Sequence, residues 1–323
     1  MPALARPATA APADDAPQEV YVADITGWLP KADVASLEHP LFALKAGDCR
    51  IREYKSPDGS VTVRVIPNTH IGAATTHDKD LWIYCISQLV AAINQGRKDI
   101  NRTVRFRVHS FLVDTRRASK STMGKHVYDL VGDALSRLHG TVVETNIRTA
   151  GIRELRGFGL IEAYSIIQRE ESGKMIAVEV TLPEWLYRSV QARKVLTLSR
   201  EYFSLKKPLH RRIYELARKH CGKQTRWQIA LDNFHVKSGS TGPLKKFRAA
   251  IRALAKAKSL PDYDLVHDEQ TDLVTVYPRT TAGRKQRLAD VLSGRRGSGV
   301  SRPPRVQPSQ GPADLVSQGP EPL

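Results

Sequence analysis

The feature that most constrains this fold is a basic amphipathic segment at residues 242–261. A turn rich in Gly and Ser opens the segment and Pro261 closes it. At about 100° per residue, the apolar side chains align on one narrow stripe, namely Leu244, Phe247, Ile251 and Leu254. Lys and Arg residues occupy roughly the other side, with Ala residues among them. The pattern predicts a helix that packs on a core with one face and presents long cations with the other.

The cationic side suits a nucleic-acid groove. Small residues let a helix approach the groove floor, while Arg and Lys reach phosphates and guanine edges. The candidate DNA-binding residues here are Lys245, Lys246, Arg248, Arg252 and Lys256. Because Arg248 and Arg252 lie one turn apart, we expect both to enter one major groove and contact bases. Lys245 and Lys256 are expected to hold phosphates. The alternative interpretation is a solvated basic face.

The segments on either side of this helix complete a recognisable order. Residues 230–239 form a short segment with apolar residues that ends in Ser-Gly. Residues 262–268 and 272–278 are β-rich runs joined by a short polar turn. Helix, turn, basic helix and hairpin is the order of a winged helix-turn-helix, whose second helix enters the major groove. The hairpin would be the wing.

The first half of the chain repeats this order of elements without repeating its residues. Residues 77–96 predict a helix that is apolar nearly all round, and residues 124–140 predict a second amphipathic helix. β-rich segments follow at residues 141–147, 158–170 and 174–182. We therefore expect an α+β fold with two tandem winged-helix domains, at residues 25–190 and 191–279.

The two ends of the chain have the composition of disordered segments. Small residues and prolines dominate residues 1–24, and Gly, Ser, Pro, Gln and Arg dominate residues 280–323. We expect a disordered arm before the first domain and a disordered basic tail after the second. The tail is predicted either to add non-specific DNA affinity or only to increase solubility.

The first domain is expected to serve dimerisation and backbone contact. A helix that is apolar all round is buried or shared with a partner subunit, which favours a homodimer in equilibrium with monomer. The outer side of the helix at residues 124–140 carries Asp129 and Asp133, which repel phosphate. The cations near it are candidates for backbone contacts, namely Arg116, Arg117, Lys120 and Lys125.

Charge indicates the class of partner. The 323 residues include 50 Lys and Arg against 33 Asp and Glu, a net charge of +17, which points to a polyanion. No apolar run approaches 18 residues and no lipidation motif occurs, so double-stranded DNA is favoured over a membrane. The three scattered cysteines fit a reducing cytoplasm and argue against a disulfide framework.

Motifs for catalysis are weak in this sequence. No phosphate-binding G-x-x-x-x-G-K-[ST] loop occurs. The alternative of a DNA-nicking enzyme rests on Tyr202, which lies near several cations, but the histidines are scattered rather than clustered as metal ligands. Tyr202 beside Phe203 is more typical of core packing. We therefore expect no enzymatic activity, no cofactor and no bound metal.

The chain resembles the plasmid replication initiator protein A family of broad-host-range type. The resemblance covers roughly residues 28–277 and rests on EHPLFALK (38–45), THDKDLWIYCISQL (76–89), RLHGTVVETNI (137–147), VLTLSREYFSLKKPLHRRIYELARKHCGKQ (195–224) and KSGSTGPLKKFR (237–248). It implies two winged-helix domains, monomers that bind directly repeated origin sequences (iterons), and dimerisation through the first domain. It also implies that the host initiator and the replicative helicase are partners.

A transcriptional repressor with the same fold is the other function that the sequence allows, because operators and iterons require the same groove contacts. Tandem direct repeats next to an AT-rich segment beside the gene would favour the initiator. A lone inverted repeat would favour the repressor.

Overall fold

A computed structural model shows a mixed α/β chain and describes residues 20–56, 59–118, 124–146, 148–149, 152–153, 156–173 and 175–293. The helices are α1 (Val34–Glu38), α2 (Lys79–Asn94), α3 (Val108–Asp114), α4 (Lys125–Gly140), α5 (Glu184–Gln191), α6 (Pro208–Cys221), α7 (Leu231–Ser238), α8 (Leu244–Ala257) and α9 (Thr281–Leu292). The strands are β1 (Tyr21–Val22), β2 (Lys31–Asp33), β3 (Arg52–Lys55), β4 (Thr62–Ile66), β5 (Thr103–Arg107), β6 (Val142–Thr145), β7 (Arg148–Thr149), β8 (Ile152–Arg153), β9 (Arg156–Gly159), β10 (Ala163–Gln168), β11 (Met175–Thr181), β12 (Val195–Thr197), β13 (Trp227–Ala230), β14 (Tyr263–Asp268) and β15 (Leu273–Pro278).

Helix α2 lies in the core of the first half and is buried on almost every side, as its all-round apolar sequence predicts. The Trp82 indole donates to the carbonyl of Leu160 at 2.7 Å, and Phe42 and Trp185 pack against its ring. The chain itself therefore covers α2. The apolar surface that motivated the expectation of a homodimer is explained without a partner subunit, and dimerisation stays a prediction.

The first half contains two four-stranded sheets. Their strand orders are β1-β5-β11-β10 and β3-β4-β6-β9. The predicted strand at residues 158–170 is wrong as a single element, because it divides into β9 and β10 in different sheets. Gly159 lies at the bend, where an added methyl group would come within 2.7 Å of the Ile161 carbonyl oxygen. Only glycine allows the chain to turn this tightly.

The predicted disordered arm ends earlier than residue 24. Strand β1 pairs in parallel with β5, and Tyr21 opposes Val104. Tyr21 is buried, and its hydroxyl donates to the carbonyl of Gln88 at 3.1 Å. The expectation is therefore wrong for residues 21–24, and residues 1–19 lie outside the described part of the chain.

The second half is built around a three-stranded sheet with the order β13-β15-β14. The predicted basic helix is confirmed as α8, whose Phe247, Ile251 and Leu254 are buried. Helix α7 ends at Gly239, which has a left-handed φ of 70° and packs against Pro40 of the first half. A side chain there would be strained and would collide with the proline ring.

The predicted disordered tail is wrong for residues 281–292, which form α9. The Thr280 side chain caps the helix by accepting from the amide of Gly283 at 3.2 Å. Asp290 accepts from the Tyr277 hydroxyl at 2.9 Å and pairs with Arg226 at 2.6 Å. These polar contacts hold α9 in place of an apolar stripe, which is the pattern from which α8, for example, could be predicted. Residues 294–323 of the expected tail lie outside the described residues.

The two halves are joined by a shared sheet and by buried charges. Strand β12 pairs antiparallel with β2, so residues just beyond the expected domain boundary at 190 complete a sheet of the first half. Glu215 of α6 pairs with Lys79 at 3.0 Å and also accepts from the Tyr202 hydroxyl at 2.7 Å. Arg211 pairs with Asp80 at 2.5 Å. All five of these side chains are buried, so this part of the interface contains desolvated ions that pair with one another.

Within the described ranges, no helix combines the length and the hydropathy that are needed to span a bilayer. Cys49 is exposed, whereas Cys85 and Cys221 are buried, and all three are free thiols.

A candidate nucleic-acid interface

Helix α8 presents a cationic surface beside the hairpin formed by β14 and β15. Four of the five predicted cations are exposed, namely Lys245, Lys246, Arg252 and Lys256. Ala249 and Ala253 are exposed between them, so a flat surface could approach the helix axis closely. The fifth cation, Arg248, is half-buried at the edge of the helix that faces the hairpin.

The turn of the hairpin holds both arginines that were predicted to contact bases. Asp272 accepts from Arg248 Nε at 3.0 Å and from Arg248 Nη2 at 2.5 Å. These hydrogen bonds, helped by the contact with His267, hold the pKa of the Asp272 carboxyl below its usual range. Arg252 makes a single, more exposed contact, from Nε to Glu269 at 3.1 Å. Sequence reasoning missed Asp272 and Glu269, although the acidic run Asp268–Asp272 was a visible signal.

Basic side chains of the first half lie beside the start of α8. Arg50 Nη2 donates to the Thr241 hydroxyl at 2.8 Å, and 61% of the Arg50 side chain remains exposed. Lys45 and His70 are exposed in the neighbouring loops of the first half. The His235 ring contacts the Gly242 carbonyl at 2.8 Å and so ties the turn before α8 to α7. The basic surface therefore continues from α8 to residue 50, which the sequence did not indicate.

The cations predicted near the first amphipathic helix have different surroundings. Lys125 is exposed at the start of α4, whose outer side carries exposed Asp129 and Asp133 as expected. Arg116 pairs with Glu201 at 2.7 Å and is about half exposed. Lys120 lies outside the described residues.

Arg117 contributes to the fold itself. It is only 19% exposed, pairs with the fully buried Asp80 at 3.1 Å and also contacts the His77 carbonyl. Nε and Nη2 of Arg117 are therefore engaged within the fold.

Tyr202, the candidate nucleophile of a nicking enzyme, is fully buried. Burial and the neighbouring Glu215 raise the pKa of its phenol well above the usual value, which disfavours a tyrosinate there. The interpretation of Tyr202 and Phe203 as core residues fits their packing, with ring centroids 5.6 Å apart. Across the part of the chain that the structure describes, no three His, Cys, Asp or Glu side chains gather as metal ligands.

An exposed basic helix beside a β hairpin, in a chain with a net charge of +17, is typical of nucleic-acid-binding proteins. The sequence profile of the replication initiator protein A family matches residues 31–265. A curated relative from Wigglesworthia glossinidia brevipalpis, described as "Putative replication protein", is 39% identical over 268 residues, covering 81% of this chain and 94% of the relative. The chain therefore belongs to the replication initiator protein A family, and the resemblance found in the sequence is confirmed.

The fold is also similar to a solved structure. The crystal structure of domains 2 and 3 of RctB aligns with a TM-score of 0.54 at 9% identity, covering 76% of this chain and 98% of that one. At this identity the likeness concerns the fold alone. The family match alone supports a role in replication initiation.

Proposed function

We propose that this chain initiates plasmid replication by binding directly repeated duplex DNA (iterons) at an origin. In this proposal residues 191–279 form a winged-helix unit, with α8 in the major groove and the β14–β15 hairpin as its wing. The observation that carries the proposal is α8 itself. Its apolar stripe is buried while four cations project into solvent, so the charges are available to a polyanion.

The first half would form the second winged-helix unit. It would contact the phosphate backbone through exposed Lys125 and Arg116 and would provide the dimer contacts of a homodimer in equilibrium with monomer. Opening of the origin would draw on binding energy, on DNA bending and on a recruited host initiator and replicative helicase. The sequence contains no ATP-binding loop, which supports the proposal that this chain does not open the origin by ATP hydrolysis.

The proposal predicts salt-sensitive, sequence-specific binding to tandem repeats beside the gene. If about six phosphates are neutralised, the logarithm of the binding constant should fall with the logarithm of salt concentration with a slope near −5. The measurement compares a duplex carrying the repeats with a scrambled duplex across a salt series. Equal affinity for both duplexes would contradict the proposal. Tight binding to a lone inverted repeat would indicate a repressor instead.

A further inference from the structure

Arg248 is the one cation among the five predicted on α8 that is clamped by a carboxylate through two hydrogen bonds. A guanidinium group has five N–H donors distributed over two edges. Asp272 takes the edge made by Nε and Nη2. Among the residues that the structure describes, Nη1 has no hydrogen-bond partner, and 30% of the side chain is exposed. The outer edge, made by Nη1 and Nη2, is therefore available to a ligand.

The clamp itself is fixed to three elements of the second half. The Asp272 carbonyl accepts from the amide of Leu231, the first residue of α7, at 2.9 Å. Its carboxylate also contacts His267 Nε2 of β14 at 3.0 Å. The residue has a left-handed φ of 55°, which is uncommon for a non-glycine residue. Asp272 thus has a defined position relative to α7, α8 and the hairpin.

A long side chain held in this way loses little conformational freedom on binding. Arginine otherwise gives up considerable rotamer entropy when it contacts a ligand. Two parallel N–H donors at a fixed position match the O6 and N7 acceptors of guanine in the major groove. The Arg252–Glu269 pair lacks this property, because one contact joins two side chains that are 47% and 65% exposed.

We propose that Asp272 is a positioning residue that holds Arg248 so that its free edge reads one guanine of the bound DNA. The inference rests on the proposed function, since it names the residue pair that gives the basic helix its base preference. It also ranks the two arginines: Arg248 would select sequence, whereas Arg252 would contribute mainly charge.

The test uses the full chain and two duplexes. One is the duplex that the wild-type chain enriches from a library of randomised 20-base-pair duplexes, and the other is its scrambled counterpart. For Asp272→Asn we expect the preference for the enriched duplex to fall roughly 10- to 100-fold, the range of one bidentate base contact. Affinity for the scrambled duplex should hold or rise, because a negative charge is removed.

A chemical probe reports the base contact directly. Replacing each guanine of the enriched duplex in turn by 7-deazaguanine removes the N7 acceptor. The wild-type chain should lose affinity at one position, and Asp272→Asn should not respond there. Arg248→Met keeps a long side chain but has no N–H donor, so it should show the same insensitivity. It tests the guanine contact if Asp272→Asn fails to fold.

Glu269→Gln is the matched control, since it removes a neighbouring acid from the exposed pair. It should strengthen binding to both duplexes alike and keep the response to 7-deazaguanine. The inference is overturned if Asp272→Asn also strengthens binding to both duplexes alike and keeps the response to 7-deazaguanine. Asp272 would then only neutralise the charge of Arg248. It is equally overturned if Asp272→Asn retains the wild-type preference. Either result leaves the wild-type preference itself, and with it the proposed function, intact; a wild-type chain that enriches no duplex would overturn both.

Discussion

At the scale of single residues, Arg212 shows how one buried charge joins distant parts of the chain. Its guanidinium donates to the carbonyls of Leu37, Glu38 and Lys237, each at 2.9 Å, and pairs with Glu215 at 3.3 Å. The side chain is 2% exposed. Arg212 therefore supplies buried and partly buried hydrogen bonds to backbone carbonyls of both halves.

Arg212→Ala should destabilise the protein by about 3–5 kcal/mol, since it leaves Glu215 and several carbonyls with fewer partners in a buried setting. The free energy of unfolding in urea gives the value. Arg105→Ala is the control, because Arg105 forms an exposed pair with Glu179 and should cost at most about 1 kcal/mol. Similar losses in the two variants would show that the Arg212 network adds nothing beyond a surface ion pair.

At the scale of elements, α9 depends on a close approach to the end of β15. A methyl group built on Gly283 would lie 2.1 Å from the Pro278 carbonyl oxygen and 2.9 Å from its ring. Backbone atoms cannot yield as a flexible side chain can, so the helix would have to move away. The bonds from Asp290 to Tyr277 and Arg226 would then be strained.

Gly283→Ala should therefore loosen α9 by about 1–3 kcal/mol, the usual cost of overpacking. Hydrogen exchange of the α9 amides should accelerate, while exchange in α8 should stay unchanged. Ala282→Ser alters the adjacent exposed position and should leave exchange as in the wild type. If α9 amides exchange equally in both variants, the contact with Pro278 does not hold the helix.

At the scale of the whole molecule, Glu38 links the two halves of the chain through ion pairs. It pairs with Lys219 at 3.0 Å, with His220 at 3.1 Å and with Lys237, all from the second half. Burial alone would raise the pKa of this carboxyl, but His220 and Lys237 hold it well below its usual range. A carboxyl whose pKa is lower in the folded state stabilises the fold above its unfolded pKa, and this stabilisation is lost as pH falls.

Glu38→Gln should cost about 2–4 kcal/mol at pH 7, because Lys219, Lys237 and His220 lose their carboxylate partner. The difference from the wild type should shrink as pH falls below about 4.5, the ordinary pKa of a glutamate. Urea unfolding at a series of pH values measures it. Glu53→Gln, at a position 62% exposed, should change stability by less than about 1 kcal/mol at every pH. If the difference in the free energy of unfolding between Glu38→Gln and the wild type stayed constant from pH 7 to pH 3, the ion pairs of Glu38 would not stabilise the fold.

Elements whose stabilising residues are close in sequence were predictable, and elements that depend on distant partners were not. The stripe of α8 and the apolar run of α2 follow from neighbouring residues, so periodicity predicted both. Strand β1 and helix α9 depend on distant partners such as Gln88 and Arg226. Buried ion pairs such as Arg211 with Asp80, 131 positions apart, look like surface charges in a sequence.

The candidate site likewise contains some residues that could be predicted from the sequence and others that could not. The cations of α8 could be predicted because their spacing places them away from the apolar stripe. The clamp on Arg248 could not, because it depends on how the hairpin turn packs against the helix 24 positions away. The same applies to Arg50, which reaches Thr241 only through the packing of the two halves.

The pairing of β2 with β12 has a consequence for folding during synthesis on the ribosome. Residues 31–38 emerge early, yet their partners in β12 and α6 are made only after residue 194. At 5–20 residues per second, the 179 positions from Asp33 to Arg212 take roughly 9–36 seconds to translate. During that interval one edge of β2 and the carbonyls of residues 36–38 lack their native partners. In a chain that ends early, at residue 181 for example, β2 would never gain its partner strand. An unpaired strand edge favours aggregation over a stable N-terminal fragment.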